Sequence, residues 1–227
     1  SLIADFSATP TIGAGPLTVH FCDLSSSTEP GGVVSWAWDF DGDTIVDSFV
    51  QYPVFTYVQN GDYTVSLVVH DGINPPQQRT RQAYIRVEPA VTGACAAFVF
   101  DRSGTMANIR SGTTTTRAVD TVSFAEADAD YLFATVGMRV LIYACHDGTV
   151  TRIGGSYATA AAAKAAMQTL PAPTGSKPLA DAIVTAVADL VALNPGGALA
   201  DRTLLIYSDD GATTNAPNPC RTSGPGS

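Results

Sequence analysis

Residues 96–105 read Ala96-Ala97-Phe98-Val99-Phe100-Asp101-Arg102-Ser103-Gly104-Thr105, an unbroken apolar run that ends on one carboxylate and two alternate hydroxyls. A short apolar run bounded by turn residues predicts a strand buried on both faces. A buried strand that ends on Asp-x-Ser-x-Thr aims Asp101, Ser103 and Thr105 at a common point above its sheet. Three converging hard oxygens suit Mg²⁺ or Mn²⁺, which prefer compact octahedral oxygen shells and keep positions open for water or a ligand carboxylate.

Working outward, residues 94–227 alternate between two periodicities. Strand-like runs (95–101, 138–145, 203–208) are interleaved with helix-like runs (about 117–135, 158–169 and 178–193). The segment Ala160-Ala161-Ala162-Ala163-Lys164-Ala165-Ala166-Met167 is a strong helix former. Such alternation predicts an α/β unit with a largely parallel sheet covered on both faces. Ligands of these sheets bind at the carboxyl ends of strands, where Asp101 and Asp209 both fall.

The preceding residues have another character. Leu17-Thr18-Val19-His20-Phe21, Tyr63-Thr64-Val65-Ser66-Leu67-Val68-Val69 and Ala83-Tyr84-Ile85-Arg86-Val87 alternate with period two between Gly, Pro, Asn and Asp clusters. That pattern predicts an antiparallel sandwich. Glu88-Pro89-Ala90 reads as a short extended linker, so the chain divides into residues 1–90 and 91–227.

Composition narrows the class. The 227 residues are 45% hydrophobic, enough for ordinary cores, and no apolar stretch reaches the ~20 residues that span a bilayer. Net charge is −9, which argues against a nucleic-acid partner and supplies no polybasic membrane patch. Residues 1–90 carry net −7 and residues 91–227 net −2, so the acid excess is concentrated in the sandwich. No basic-plus-apolar leader precedes the first strand, which suits either a removed secretion signal or an excised piece of a larger protein.

Four cysteines allow three full pairings. Cys95 and Cys220 bracket the second domain, so a disulfide tying its ends is the preferred pairing. It would close a loop of about 125 residues and contribute about 4–5 kcal/mol in the chain-entropy model. Cys22 and Cys145 fall in strand-like contexts suited to buried thiols. An oxidising compartment is favoured. The three histidines fall singly, and no phosphate-binding glycine loop occurs.

The first domain resembles the polycystic-kidney-disease (PKD) repeat, an immunoglobulin-like sandwich. The resemblance rests on Trp36-Ala37-Trp38-Asp39-Phe40-Asp41-Gly42-Asp43, Pro53-Val54-Phe55-Thr56-Tyr57 and Asn60-Gly61-Asp62-Tyr63-Thr64-Val65-Ser66-Leu67. It implies a spacer or interaction module of extracellular multidomain proteins. Within it, Asp39, Asp41, Asp43 and Asp47 place four carboxylates within nine residues. Such a run either collects oxygens around a structural Ca²⁺ or forms an acidic turn in which Asp39 and Asp41 accept backbone amides.

The second domain resembles the von Willebrand factor A (VWA) family over residues 94–214, which implies a Rossmann-like α/β fold. Asp101, Ser103 and Thr105 match the first loop of that family's metal-ion-dependent adhesion site (MIDAS). Leu204-Leu205-Ile206-Tyr207-Ser208-Asp209-Asp210-Gly211 matches the loop that carries a further aspartate, with Asp209 favoured by strand register and Asp210 by its Asp-Gly pairing. Gly175-Ser176-Lys177-Pro178-Leu179-Ala180-Asp181-Ala182 matches the second loop, except that Lys177 stands where the family has a metal-ligating Thr. An ammonium has no lone pair for a metal. Pointing inward, Lys177 would replace the cation; pointing outward, it would leave Ser176 or a water to complete the shell. Only 18 residues follow Asp209, so the domain is short for the family.

The expectation is thus a non-enzymatic, extracellular or cell-surface adhesion module. A cation held by Asp101, Ser103 and Thr105 would take an acidic side chain from a protein ligand. Two alternatives are a surface or filament component that self-associates through an incomplete sheet edge, and an accessory segment of a secreted hydrolase.

Overall fold

The computed structural model describes residues 1–109, 114–134, 137–176, 178–198 and 201–208. They form two compact units, one of Ser1–Pro89 and one that starts at Ala90. No helix among them is long and apolar enough to cross a membrane.

The first unit is all β. Its strands are β1 (Leu2–Ile3), β2 (Phe6–Thr9), β3 (Ile12–Ala14), β4 (Leu17–Asp23), β5 (Ser26–Ser27), β6 (Ser35–Asp39), β7 (Val54–Tyr57), β8 (Gly61–His70) and β9 (Gln77–Glu88). One sheet has the order β2-β4-β7 and the other β3-β9-β8-β6, with β1 and β5 as a short extra pair. The alternation seen in the sequence puts Val65, Leu67 and Val69 of β8 and Ile85 and Val87 of β9 inside. Aromatic rings bridge the two sheets: Phe6 meets Trp38 edge-on with centroids 5.3 Å apart, and Phe21 lies 5.6 Å from Trp38. This is the immunoglobulin-like sandwich expected. One pairing departs from an all-antiparallel reading, because β3 runs parallel to β9. Pro10, which has no N–H for a ladder, separates β2 from β3, and the chain changes sheets there.

Asp71 ties this unit together at the end of β8. Its carboxylate accepts hydrogen bonds from Ser27 Oγ (2.6 Å), Asn74 Nδ2 (2.7 Å), Asn74 N (2.8 Å) and Ile73 N (3.0 Å). These donors, the Ser27 hydroxyl first, hold its carboxyl well below the usual range against the opposing effect of burial. A depressed carboxylate stabilises the fold fully above the unfolded pKa of about 3.9, and the contribution is lost as pH falls toward the folded value. Asp71→Ala should therefore be less stable than wild type at neutral pH, by a margin that shrinks below about pH 4. Urea titrations across that range check the sign.

The second unit is α/β. It runs β10 (Cys95–Asp101), a 3-10 turn (Gly104–Ala107), α1 (Arg117–Leu132), β11 (Arg139–His146), β12 (Thr149–Arg152), α2 (Ala160–Met167), α3 (Leu179–Leu193) and β13 (Arg202–Tyr207). The sheet order is β12-β11-β10-β13, with β10 parallel to both β11 and β13 and β12 antiparallel at the edge. All seven residues of β10 are buried, as its apolar run predicts for a central strand. Ala96, Phe98 and Phe100 pack with Ala125 and Ala129 of α1 and Ala163 and Met167 of α2. α3 lies against β10 and β11 on the opposite face, where Tyr143 of β11 reaches Asp189. Thr116 and Thr159 cap α1 and α2 by accepting from the amides of Val119 and Ala162. Helices cover both faces, and the described elements amount to three α-helices on four strands.

The cysteines correct one expectation. Cys95 is a free thiol, 1% exposed at the start of the central strand, with Sγ 3.8 Å from Gly93 O. It takes part in no disulfide with Cys220, which lies outside the described residues. Burial pushes the Cys95 thiol pKa up, which keeps it protonated and inert. Cys145 is likewise a buried thiol outside any disulfide, its Sγ 3.4 Å from Phe100 O. Cys22 is buried in β4 but is not one of the free thiols.

Candidate metal centre

The central strand delivers Asp101 to the carboxyl end of the parallel sheet with its side chain fully buried. Its Oδ1 accepts from Ser103 N (2.9 Å) and its Oδ2 from the hydroxyl of Ser208 (2.7 Å), the residue that follows β13. Ser103 begins the 3-10 turn without using its hydroxyl as a cap. That hydroxyl lies 3.1 Å from Thr105 Oγ1. Ser103 is buried whereas Thr105 is exposed, so the cluster is closed below and open to solvent on one side.

Two oxygens on neighbouring vertices of an octahedral Mg²⁺ shell sit about 2.9 Å apart, given Mg–O distances of about 2.0–2.1 Å. The Ser103–Thr105 spacing and the all-oxygen donor set therefore fit such an ion. Asp209, Asp210 and Lys177 lie outside the described residues.

The second loop crosses the same strand ends. Gly104 N donates to Gly175 O (3.0 Å), Thr174 N to Arg102 O (2.8 Å) and Gly148 N to Ser176 O (3.3 Å). Gly175 has φ +60°, and a Cβ there would come within 2.7 Å of Asp147 Cα, so only glycine suits this crossing. Arg102, inside the first motif, is buried and donates to Pro171 O (2.7 Å) and Ala118 O (3.2 Å). It ties the second loop to the start of α1.

In the first unit, the acidic run leaves β6. Asp39 accepts from Gly42 N (2.7 Å), Thr44 N (2.9 Å) and Asp41 N (3.2 Å), while Asp41 accepts from Asp43 N (3.2 Å) and Asp43 from Ile45 N (2.7 Å). These are the bonds of a tight acidic turn, with Gly42 and Thr44 at positive φ. Carboxylate oxygens of Asp39, Asp41 and Asp43 lie within 4.8 Å of one another. Asp47 stands apart from that group and accepts from Phe40 N (2.7 Å). The Asp41 carboxyl, though exposed, is raised above its ordinary value by partial desolvation first and then by the charges of Asp43, Asp47 and Asp39, against the lowering effect of the Asp43 amide bond.

A pairing that the sequence did not signal lies beneath the sheet end. Asp189, fully buried on α3, accepts from the Tyr143 hydroxyl at 2.7 Å. Burial, and then the Asp189 charge, raise that phenol far above its usual pKa. Its only trace in the sequence is that Asp189 is one of two acids, with Asp181, in the otherwise largely apolar stretch 179–193.

Comparison with known proteins bears on the first unit. The family model for the PKD domain matches residues 3–83. The chain carries a PKD domain. It is 31% identical to the PKD1 domain of Vibrio anguillarum Epp, over 39% of this chain and 96% of that one, with a TM-score of 0.32. Identity to the PKD1 domain of the Vibrio cholerae metalloprotease PrtV is 27%, over 39% of this chain and 98% of that one, again with a TM-score of 0.32. The SpRpn10 VWA domain is 16% identical over 51% of this chain and 59% of that one, with a TM-score of 0.37. No curated protein sequence matches the chain. PKD domains are extracellular protein-binding or structural modules, and residues 3–83 belong to that class.

Proposed function

We propose that the chain is a non-enzymatic, exported adhesion module in which the PKD domain spaces a VWA-like domain whose MIDAS-like site holds Mg²⁺ or Mn²⁺. The observation that carries this reading is the buried Asp101 carboxylate at the end of the central strand, below the Ser103 and Thr105 hydroxyls 3.1 Å apart. The cation would add a concentrated positive charge able to take a carboxylate from a protein ligand. The exposed side of the cluster, at Thr105, is where such a ligand would approach. Asp209 is assigned a role in the same site, directly or through water. The test is titration of chelator-treated protein with Mg²⁺ and Mn²⁺, on wild type and Asp101→Ala.

A structural Ca²⁺ at Asp39, Asp41 and Asp43 is the second part of the reading, supported by their mutual approach within 4.8 Å. The raised Asp41 pKa gives the sign of the test. Above that pKa the fold carries a charge that it disfavours; acidification through it removes the penalty. In chelator, Asp41→Asn should thus raise the melting temperature at neutral pH, with the gain lost as pH falls through the raised Asp41 value toward the ordinary carboxyl value of about 3.9. In millimolar Ca²⁺ the same variant should melt below wild type. Thermal unfolding in the two buffers decides it, and identical behaviour in both would remove Ca²⁺ from this turn.

A further inference from the structure

The stretch from the acidic turn to the first residue of β7 carries six of the ten large hydrophobic side chains exposed in the first unit: Ile45, Val46, Phe49, Val50, Tyr52 and Val54. Phe49 is 73% and Ile45 67% exposed. Single exposed apolar residues are ordinary, whereas a run of them within ten residues is a mark of an interaction surface. The backbone beneath them is fixed. Trp38 Nε1 donates to Val50 O (2.9 Å), Trp38 N to Ser48 O (2.9 Å) and Asp47 N to Trp38 O (2.7 Å). The side chains are therefore presented outward by a backbone that is already ordered, which lowers the entropic cost of binding.

Charge selects the partner. Asp41, Asp43 and Asp47 are exposed on the same stretch, and none joins an ion pair among the described residues. All three arginines of the unit are occupied elsewhere: Arg79 and Arg81 with Asp5, and Arg86 with Asp62 and Glu88. The patch thus combines apolar surface with uncompensated negative charge. An anionic lipid surface or a nucleic acid would be repelled by it. Complementary chemistry is apolar and cationic together. We propose that residues 41–54 are a docking surface for a partner-protein segment that carries large apolar side chains interspersed with lysine or arginine.

The probe is an octapeptide of alternating lysine and phenylalanine, labelled for fluorescence anisotropy and titrated with the full chain in chelator. Alternating Glu-Phe and Lys-Ser octapeptides serve as controls. Chelator makes the result independent of cation occupancy in the acidic turn. The Lys-Phe peptide is expected to bind at least tenfold tighter than either control. Phe49→Ser combined with Val50→Ser should weaken it at least tenfold, and Asp43→Asn severalfold at low salt. The apolar side chains replaced are exposed, so those variants should keep the wild-type melting temperature; Ile45→Ser alone provides a second apolar test. Equal binding of the Glu-Phe or Lys-Ser peptide, or full binding by the Phe49/Val50 and Ile45 variants, would overturn the proposal.

Discussion

Replacing Asp101 with alanine is expected to abolish Mg²⁺ and Mn²⁺ binding while leaving the acidic turn of the PKD domain untouched. The carboxylate is the one anionic donor in the described cluster; Ser103 and Thr105 contribute neutral hydroxyls, which alone hold a hard divalent ion weakly. Calorimetry on chelator-treated wild type should show a Mg²⁺ or Mn²⁺ isotherm that is absent in the variant. Removing Asp101 also takes the acceptor from the buried Ser103 amide. That costs about 1–3 kcal/mol for a group left unsatisfied. A lower melting temperature in chelator is therefore expected of the variant whether or not a cation binds. The diagnostic quantity is the metal-induced rise in melting temperature, which should occur in wild type alone. A wild type that binds neither ion would overturn the MIDAS-like reading and favour a purely structural module.

What was legible in the sequence was what local pattern controls. The run from Ala96 to Phe100 has no polar interruption, and only a central strand covered on both faces tolerates that. Helices appear where the apolar spacing placed them, trimmed to their capped or packed turns at Arg117–Leu132, Ala160–Met167 and Leu179–Leu193. β12 escaped because an exposed edge strand such as Thr149-Val150-Thr151-Arg152 buries nothing; its signal was the Asp147-Gly148 turn, with both residues at positive φ. The parallel β3 escaped because Ile12, Gly13 and Ala14 are all buried and show no alternation.

Site residues divide along the same line. Asp101, Ser103 and Thr105 are close in sequence and end up close in space, so a motif can find them. The Tyr143–Asp189 pair, and the hold of Arg102 on Pro171 and Ala118, need tertiary packing that no spacing reports. The Cys95–Cys220 pairing failed for a related reason. Bracketing a domain in sequence says nothing of how deep a thiol lies, and Cys95 is a free thiol sealed inside the sheet.

Trp38→Ala should be the most damaging single change in the PKD domain. Trp38 is fully buried on β6, where its ring meets Phe6, Phe21 and Phe40 and so joins the two sheets. Truncating a buried tryptophan costs about 3–5 kcal/mol through lost transfer energy and the cavity left behind. The lost Nε1 bond to Val50 O adds to this, because that bond also anchors the loop carrying Phe49 and Tyr52. Urea unfolding followed by the fluorescence of the remaining Trp36 would read the loss as a shift of midpoint. Trp36→Phe supplies the contrast. It gives up one hydrogen bond to Asp23 (2.7 Å) at a half-buried position and should cost no more than about 1–2 kcal/mol. Equal losses in the two variants would mean that the Trp38 ring cluster does not hold the sheets together. A large loss confined to Trp38, together with weakened binding of the Lys-Phe peptide, would place the stability of the sandwich and the presentation of its apolar loop on the same side chain.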